Sequence, residues 1–198
     1  MLFDCDGVLV DSDASVLSAW TRWAVEFGLD PDQVTAQVHG RRSADTIAAL
    51  LPPDKQVEAT ERIDRFEVED AATVRAIPGA GELLRTVPRW AVVTSGRRDL
   101  ARARLAAAGL PVPCVLVTAG DVARGKPDPE GYLAAAAGLG VHPGRTVVLE
   151  DAAAGIRAAR AAGVSAVLAV GDRPELDGDA RVPDLTRVRW TDDGLVAD

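Results

Sequence analysis

Apolar residues fall in two patterns along the chain. Short Val- and Leu-rich runs occupy Met1–Phe3, Trp90–Val93, Cys114–Val117, Thr146–Leu149 and Val164–Val170. They have strand length and little alternation, which predicts strands buried on both faces. Between the later runs lie Ala-rich stretches with helical spacing at Asp99–Ala108, Pro129–Leu139 and Ala152–Ala162. Gly109, Gly140 and Gly163 follow them, where helices commonly end. Strand and helix in alternation predict an α/β fold, a Rossmann-like parallel sheet with helices on both faces. Residues 13–76 differ. Val16, Leu17, Trp20, Trp23, Ala24 and Phe27 recur at helical spacing. Gly28 and Pro31, a short helix, Ser43 before Ile47, and Pro52-Pro53 before a charged helix follow. The chain therefore divides into a core of residues 1–12 and 77–198 and an all-helical insert of residues 13–76, with the two tryptophans as insert core. The polar tail after Gly171 holds one further strand candidate at Arg187–Trp190.

Composition narrows the function. With 198 residues, the chain has room for one domain and a small insert. Aromatic residues are 4% and the formal charge is −8, which disfavours stacking platforms for nucleic acid and repels phosphate backbones and anionic membranes. Two cysteines cannot build a disulfide scaffold, no apolar run spans a bilayer, and the expected location is cytoplasmic. Cys5 and Cys114 read as core thiols. Lys55 and Lys126 are the only lysines in an Arg-biased chain, which draws attention to both.

Four strand ends carry candidate chemistry. Asp4-Cys5-Asp6-Gly7 ends the first strand with two carboxylates on one side. This suits a metal site, an acid–base pair or a nucleophile with its acid, and equally a solvated loop capping the next helix. Thr94-Ser95-Gly96 offers hydroxyls and backbone N–H groups to an anion, or a helix cap. Gly125-Lys126-Pro127-Asp128-Pro129 holds an ammonium in a proline-stiffened turn. Glu150-Asp151 places oxygen ligands for a hard cation at a strand end, or acids at a helix N-terminus. Gathered at one sheet edge, the set suits Mg²⁺-assisted phosphoryl transfer.

In this order the four runs resemble the motifs of the haloacid dehalogenase-like hydrolases, in the subfamily with a small helical cap after the first strand. The resemblance spans nearly the whole chain. Its finer likeness, in His39-Gly40-Arg41-Arg42-Ser43, Ile77-Pro78-Gly79-Ala80 and Gly125–Glu130, is to glycerol-3-phosphatase, 2-deoxyglucose-6-phosphatase and related sugar phosphatases, with β-phosphoglucomutase a cousin. It implies a Mg²⁺-dependent phosphatase acting on a small phosphorylated sugar or polyol through an aspartyl-phosphate. Asp4 would be nucleophile and Asp6 the acid, then base. Thr94, Ser95, Gly96 and Gly7 would hold the phosphoryl group, and Lys126 would bridge it to the nucleophile. Asp4, the Asp6 carbonyl, Glu150 and Asp151 would ligate Mg²⁺, and His39, Arg41 and Arg42 would contact substrate from the cap. The implied partner is a small phosphorylated metabolite, not nucleic acid or membrane, and the chain would be a monomer or weak homodimer. A phosphomutase is the alternative; a dehalogenase fits less well because its relatives usually lack the second acid. The departure from the pattern is the short first strand, with three residues before Asp4.

Overall fold

The computed structural model describes residues 1–192 and 194–197. Its centre is a six-stranded parallel sheet in the order β5-β4-β1-β6-β7-β8. The strands are β1 Leu2–Phe3, β4 Ala91–Val93, β5 Val115–Val117, β6 Val147–Glu150, β7 Ala166–Val170 and β8 Ala180–Val182. The pleat sorts their side chains. Phe3, Val92, Leu116, Leu149 and Leu168 pack on one face with Leu83 and Leu84 of α5 (Ala80–Thr86) and Ala101 and Leu105 of α6 (Arg98–Ala107). Leu2, Ala91, Val93, Val148 and Val167 pack on the other, against α7 (Glu130–Gly138) and α8 (Ala153–Ala161). Burial on both faces is why these strands carry no polar alternation. Gly109, Gly140 and Gly163 close α6, α7 and α8 with φ of 68°, 66° and 71°, a conformation that glycine adopts without penalty.

The insert is built from four helices, α1 Asp13–Glu26, α2 Pro31–Thr35, α3 Ser43–Leu50 and α4 Pro53–Asp70, with a two-residue strand at its end in place of the all-helical pattern expected over 13–76. It has its own core, built on Trp20, Trp23, Ile47, Ile63 and Phe66. The Trp23 indole N–H donates to the Ala59 carbonyl at 2.8 Å, which locks α1 to α4. The guanidinium groups of Arg22 and Arg62 both lie over the Phe66 ring, 4.3 and 4.9 Å from its centroid. The chain leaves and re-enters the core through paired strands, β2 (Val10–Asp11) antiparallel to β3 (Arg75–Ala76).

The sequence pattern misses some elements. Ile77-Pro78-Gly79 leads directly into α5. β8, the sixth strand, lies in the polar tail, and the strand expected at Arg187–Trp190 is β9 (Val188–Thr191), paired with β10 (Gly194–Ala197) outside the main sheet. Cys5 is buried as expected, but Cys114 is exposed one residue before β5 and is not a core thiol. Among the described residues no helix is long and apolar enough to cross a membrane.

Candidate active site

β1 is the switch point of the sheet, with β4 on one side and β6 on the other. The loops after these strands therefore diverge and leave a crevice at their C-terminal ends, the usual ligand position in such sheets. Asp4 follows β1, its N–H donating to the Leu149 carbonyl at 3.0 Å. Thr94 follows β4, and Glu150 and Asp151 stand at the end of β6. Asp4, Asp6, Thr94, Ser95, Gly96 and Asp151 all line one cavity, whose other wall includes Val16, Trp20, Val38 and His39 of the helical insert.

Lys126 lies under that cavity and ties the strand ends together. Its Nζ donates to Asp4 Oδ1 at 2.8 Å, Glu150 Oε1 at 2.6 Å and the Val93 carbonyl at 3.2 Å. Burial works against the charge on Lys126, but Asp4 and Glu150 outweigh it and hold the ammonium protonated well above the ordinary lysine range. Glu150 is fully buried. Its Oε1 also accepts from the Tyr132 hydroxyl at 2.6 Å, and its Oε2 accepts the Asp151 and Ala152 N–H groups at 3.1 and 3.2 Å. A carboxylate has about four acceptor sites, so Glu150 is already fully engaged. Gly155 makes room for it: a Cβ there would lie 1.7 Å from Glu150 Oε1.

Asp4, Glu150 and Asp151 each bring a carboxylate oxygen within 4.8 Å of the others. Burial, reinforced by Glu150 and Asp6 and opposed by Lys126, pushes the Asp4 carboxyl up to about 7. Burial and the neighbouring Asp4 and Glu150 push Asp151 well above the carboxylate range. One ammonium does not offset three crowded carboxylates, and an all-oxygen donor set suits a hard divalent cation. The residues therefore fit such an ion, with Asp4 and Asp151 offering the less engaged oxygens. Gly7, at φ 76°, lets the loop turn tightly, and a Cβ there would lie 2.1 Å from Asp151 Oδ2.

Asp6 Oδ1 accepts from Ser12 Oγ and from Arg104 Nη1, both at 2.8 Å. Thr94 Oγ1 accepts the Gly96 N–H at 3.0 Å, which shapes the loop after β4, and Ser95 Oγ donates to the Gly40 carbonyl of the insert at 3.0 Å. The insert residues separate. His39 and Arg41 line the cavity; burial and Arg173 lower the pKa of His39, against the pull of Asp13. Arg42 does not line it. Its guanidinium is engaged by Asp45 at 2.7 and 2.8 Å and by the Val122 and Ala123 carbonyls, which makes it a strut between α3 and the core. The sequence reading misses Ser12, Asp13, Glu67 and Arg104 of the cavity lining, and Arg173, which reaches both Asp13 and Asp151 at 3.4 Å from outside it.

Known proteins place this arrangement. Residues 1–163 match the haloacid dehalogenase-like hydrolase family. Hexitol phosphatase A of Escherichia coli is 43% identical over 185 residues, covering 89% of this chain and 86% of that protein. Glycerol-1-phosphate phosphohydrolase 2 of Saccharomyces cerevisiae is 35% identical over 180 residues, covering 82% and 70%. Among solved structures, a hydrolase from Pseudomonas syringae superposes with a TM-score of 0.85 at 26% identity, covering 93% of each chain. A β-phosphoglucomutase from Clostridium difficile shares the fold, with a TM-score of 0.84 at 22% identity over 93% and 90%. The chain belongs to the haloacid dehalogenase-like hydrolases. It is an enzyme of the branch that carries a helical insert after the first strand.

Proposed function

We propose that this hydrolase is a Mg²⁺-dependent phosphatase that cleaves a small phosphorylated sugar or polyol through a phosphoryl group carried on Asp4. The observation that carries the reading is the shared ammonium. Lys126 Nζ sits 2.8 Å from Oδ1 of Asp4, and Asp4 lines a cavity with Asp6, Thr94 and Asp151. A carboxylate attacking a dianionic ester needs fixed positive charge beside it. Lys126, held by Glu150 and the Val93 carbonyl, supplies that charge and fixes which Asp4 oxygen is free to attack. Phosphatases of hexitol and glycerol phosphates among the relatives support the substrate class.

In this mechanism a carboxylate oxygen of Asp4 bonds to phosphorus as the ester P–O bond breaks. Asp6 gives its proton to the departing oxygen. Asp6, now ionised, takes a proton from a water that attacks the same phosphorus, and the Asp4–phosphorus bond breaks to release inorganic phosphate. Thr94 and the loop through Ser95 and Gly96 hold the phosphoryl oxygens, and His39 and Arg41 bind the substrate at the cavity mouth. Mg²⁺, held by Asp4, Asp151 and the main-chain carbonyl of Asp6 with Glu150 supporting them, would draw charge from the phosphoryl oxygens. The helical insert is the cap that closes off from solvent the site carried by the core of residues 1–12 and 77–198.

The test combines two measurements. Phosphate release from a panel of sugar and polyol phosphates requires Mg²⁺ and is abolished in Asp4→Asn, whose circular dichroism stays native. Beryllium fluoride forms its adduct on Asp4; an adduct elsewhere overturns the nucleophile assignment. Isomer interconversion without net phosphate release would replace the phosphatase with a mutase.

A further inference from the structure

Glu67 and Arg104 take no part in the steps above, yet both line the cavity. Each is a charge set into the buried stripe of its helix. Glu67 accompanies Ile63 and Phe66 on α4, and Arg104 accompanies Leu100, Ala101 and Leu105 on α6. Buried charge is costly unless it is answered by partners, and here the answer is incomplete. Arg104 Nη1 is bound to Asp6, but Nη2 stops 3.7 Å from Glu67 Oε1, and Nη2 and Nε have no hydrogen-bond partner. Glu67, 7% exposed, receives a single long bond, 3.5 Å from Ser43 Oγ to Oε2.

The guanidinium thus pairs with the Glu67 carboxylate at ion-pair distance, without a hydrogen bond, and leaves most of its acceptor sites unmet. The position matters. One guanidinium links Asp6, the proton donor to the departing oxygen, with Glu67. Asp6, Ser43 and Glu67 line the same cavity, so Glu67 and Ser43 are available to the part of the substrate just beyond that oxygen. We infer that Glu67, held by Arg104 and joined by Ser43, is the leaving-group subsite, and that it selects a neutral, hydroxyl-bearing polyol or sugar. A hydroxyl donates to the carboxylate and can accept from Ser43 Oγ. An alkyl or aryl group leaves these acceptors unsatisfied, which a buried site penalises. A carboxylate or a second phosphate on the leaving group meets like charge. Burial also raises the Glu67 carboxyl to about 7, ahead of the opposing pull of Arg104, consistent with a carboxylate that lacks donors.

This inference rests on the phosphatase reading, and the experiment separates the two. The full chain and its Glu67→Gln variant are assayed with Mg²⁺ on sorbitol 6-phosphate and on p-nitrophenyl phosphate, which carries no hydroxyl. The ratio of kcat/KM for the first substrate over the second falls five-fold or more in the variant; a smaller fall overturns the subsite. If Glu67→Gln does not fold, Glu67→Asp, which keeps the charge but withdraws the carboxylate by one methylene, is held to the same ratio. If the wild-type chain hydrolyses neither ester, the phosphatase reading fails and the subsite falls with it.

Discussion

At the scale of single residues, the site depends on one ammonium with three acceptors in a fixed, buried arrangement. Lys126 is a compact point charge, and its neighbours are spaced for one. A guanidinium in its place is larger and planar and cannot meet Asp4, Glu150 and the Val93 carbonyl together. Lys126→Arg is therefore expected to keep the fold but lower kcat by at least about 100-fold, read from phosphate release, because the charge beside the attacking oxygen is displaced. Near wild-type turnover in that variant would remove Lys126 from the mechanism. The importance of Lys126 is legible in the sequence, as a lysine in an Arg-biased chain set in a proline-braced turn. Asp4, Asp6, Glu150 and Asp151 are legible too, as acids at the ends of buried strands. Tyr132 and Arg173 are not, because each reaches its carboxylate only through folding. Glu67 and Arg104 stand between these cases. Their signal, a lone charge at a core-facing position of an amphipathic helix, is present in the sequence but is easily read as a solvated edge of the stripe.

At the scale of elements, each strand end gains its geometry from the helix that follows. The start of α8 shows this most clearly. Glu150 ends β6, and its carboxylate turns back over the first turn of α8 to take two backbone N–H groups and rest against Gly155. Gly155→Ala puts a methyl group where Glu150 Oε1 sits. The expected cost is about 1–3 kcal/mol of stability, seen as a lower Tm. Activity should fall with it, because Glu150 can no longer hold Lys126 against Asp4. Unchanged Tm and activity would show that the carboxylate has room to move. The buried strands of the central sheet and the Ala-rich helices are predictable from pattern alone. The two-residue strands β2 and β3 were not, since a pair so short has no periodicity. β8 was hidden for a different reason: an edge strand needs burial on fewer sides, and Ala180 and Arg181 are exposed.

At the scale of the whole molecule, cap and core are joined by polar links around the cavity: Ser95 to Gly40, Arg173 to Asp13, Arg42 to the carbonyls of Val122 and Ala123, and Arg97 to Asp64. Within this enclosure the acids couple stability to pH and to divalent ions. The Asp4 carboxyl rises from 3.8 to about 7 on folding, so its contribution is fully present below pH 3.8 and is lost as pH rises through about 7. Without a divalent ion, Tm should fall across that window. With millimolar Mg²⁺ the ionised acids gain a ligand, and Tm at pH 7.5 should rise by at least about 3 °C. The gain should shrink towards pH 5.5, where protons compete with the ion. A Mg²⁺ effect on Tm that is equal at both values would detach the ion from these acids. The neck formed by β2 and β3 has a separate consequence. The insert's exit and return strands lie side by side, with Asp11 opposite Arg75, so a tight hairpin turn could span the gap in its place without altering any pairing in the central sheet. The roof over the cavity, and in the proposed reading the choice of substrate with it, can thus be exchanged as one contiguous stretch of chain while the strand ends beneath keep their positions.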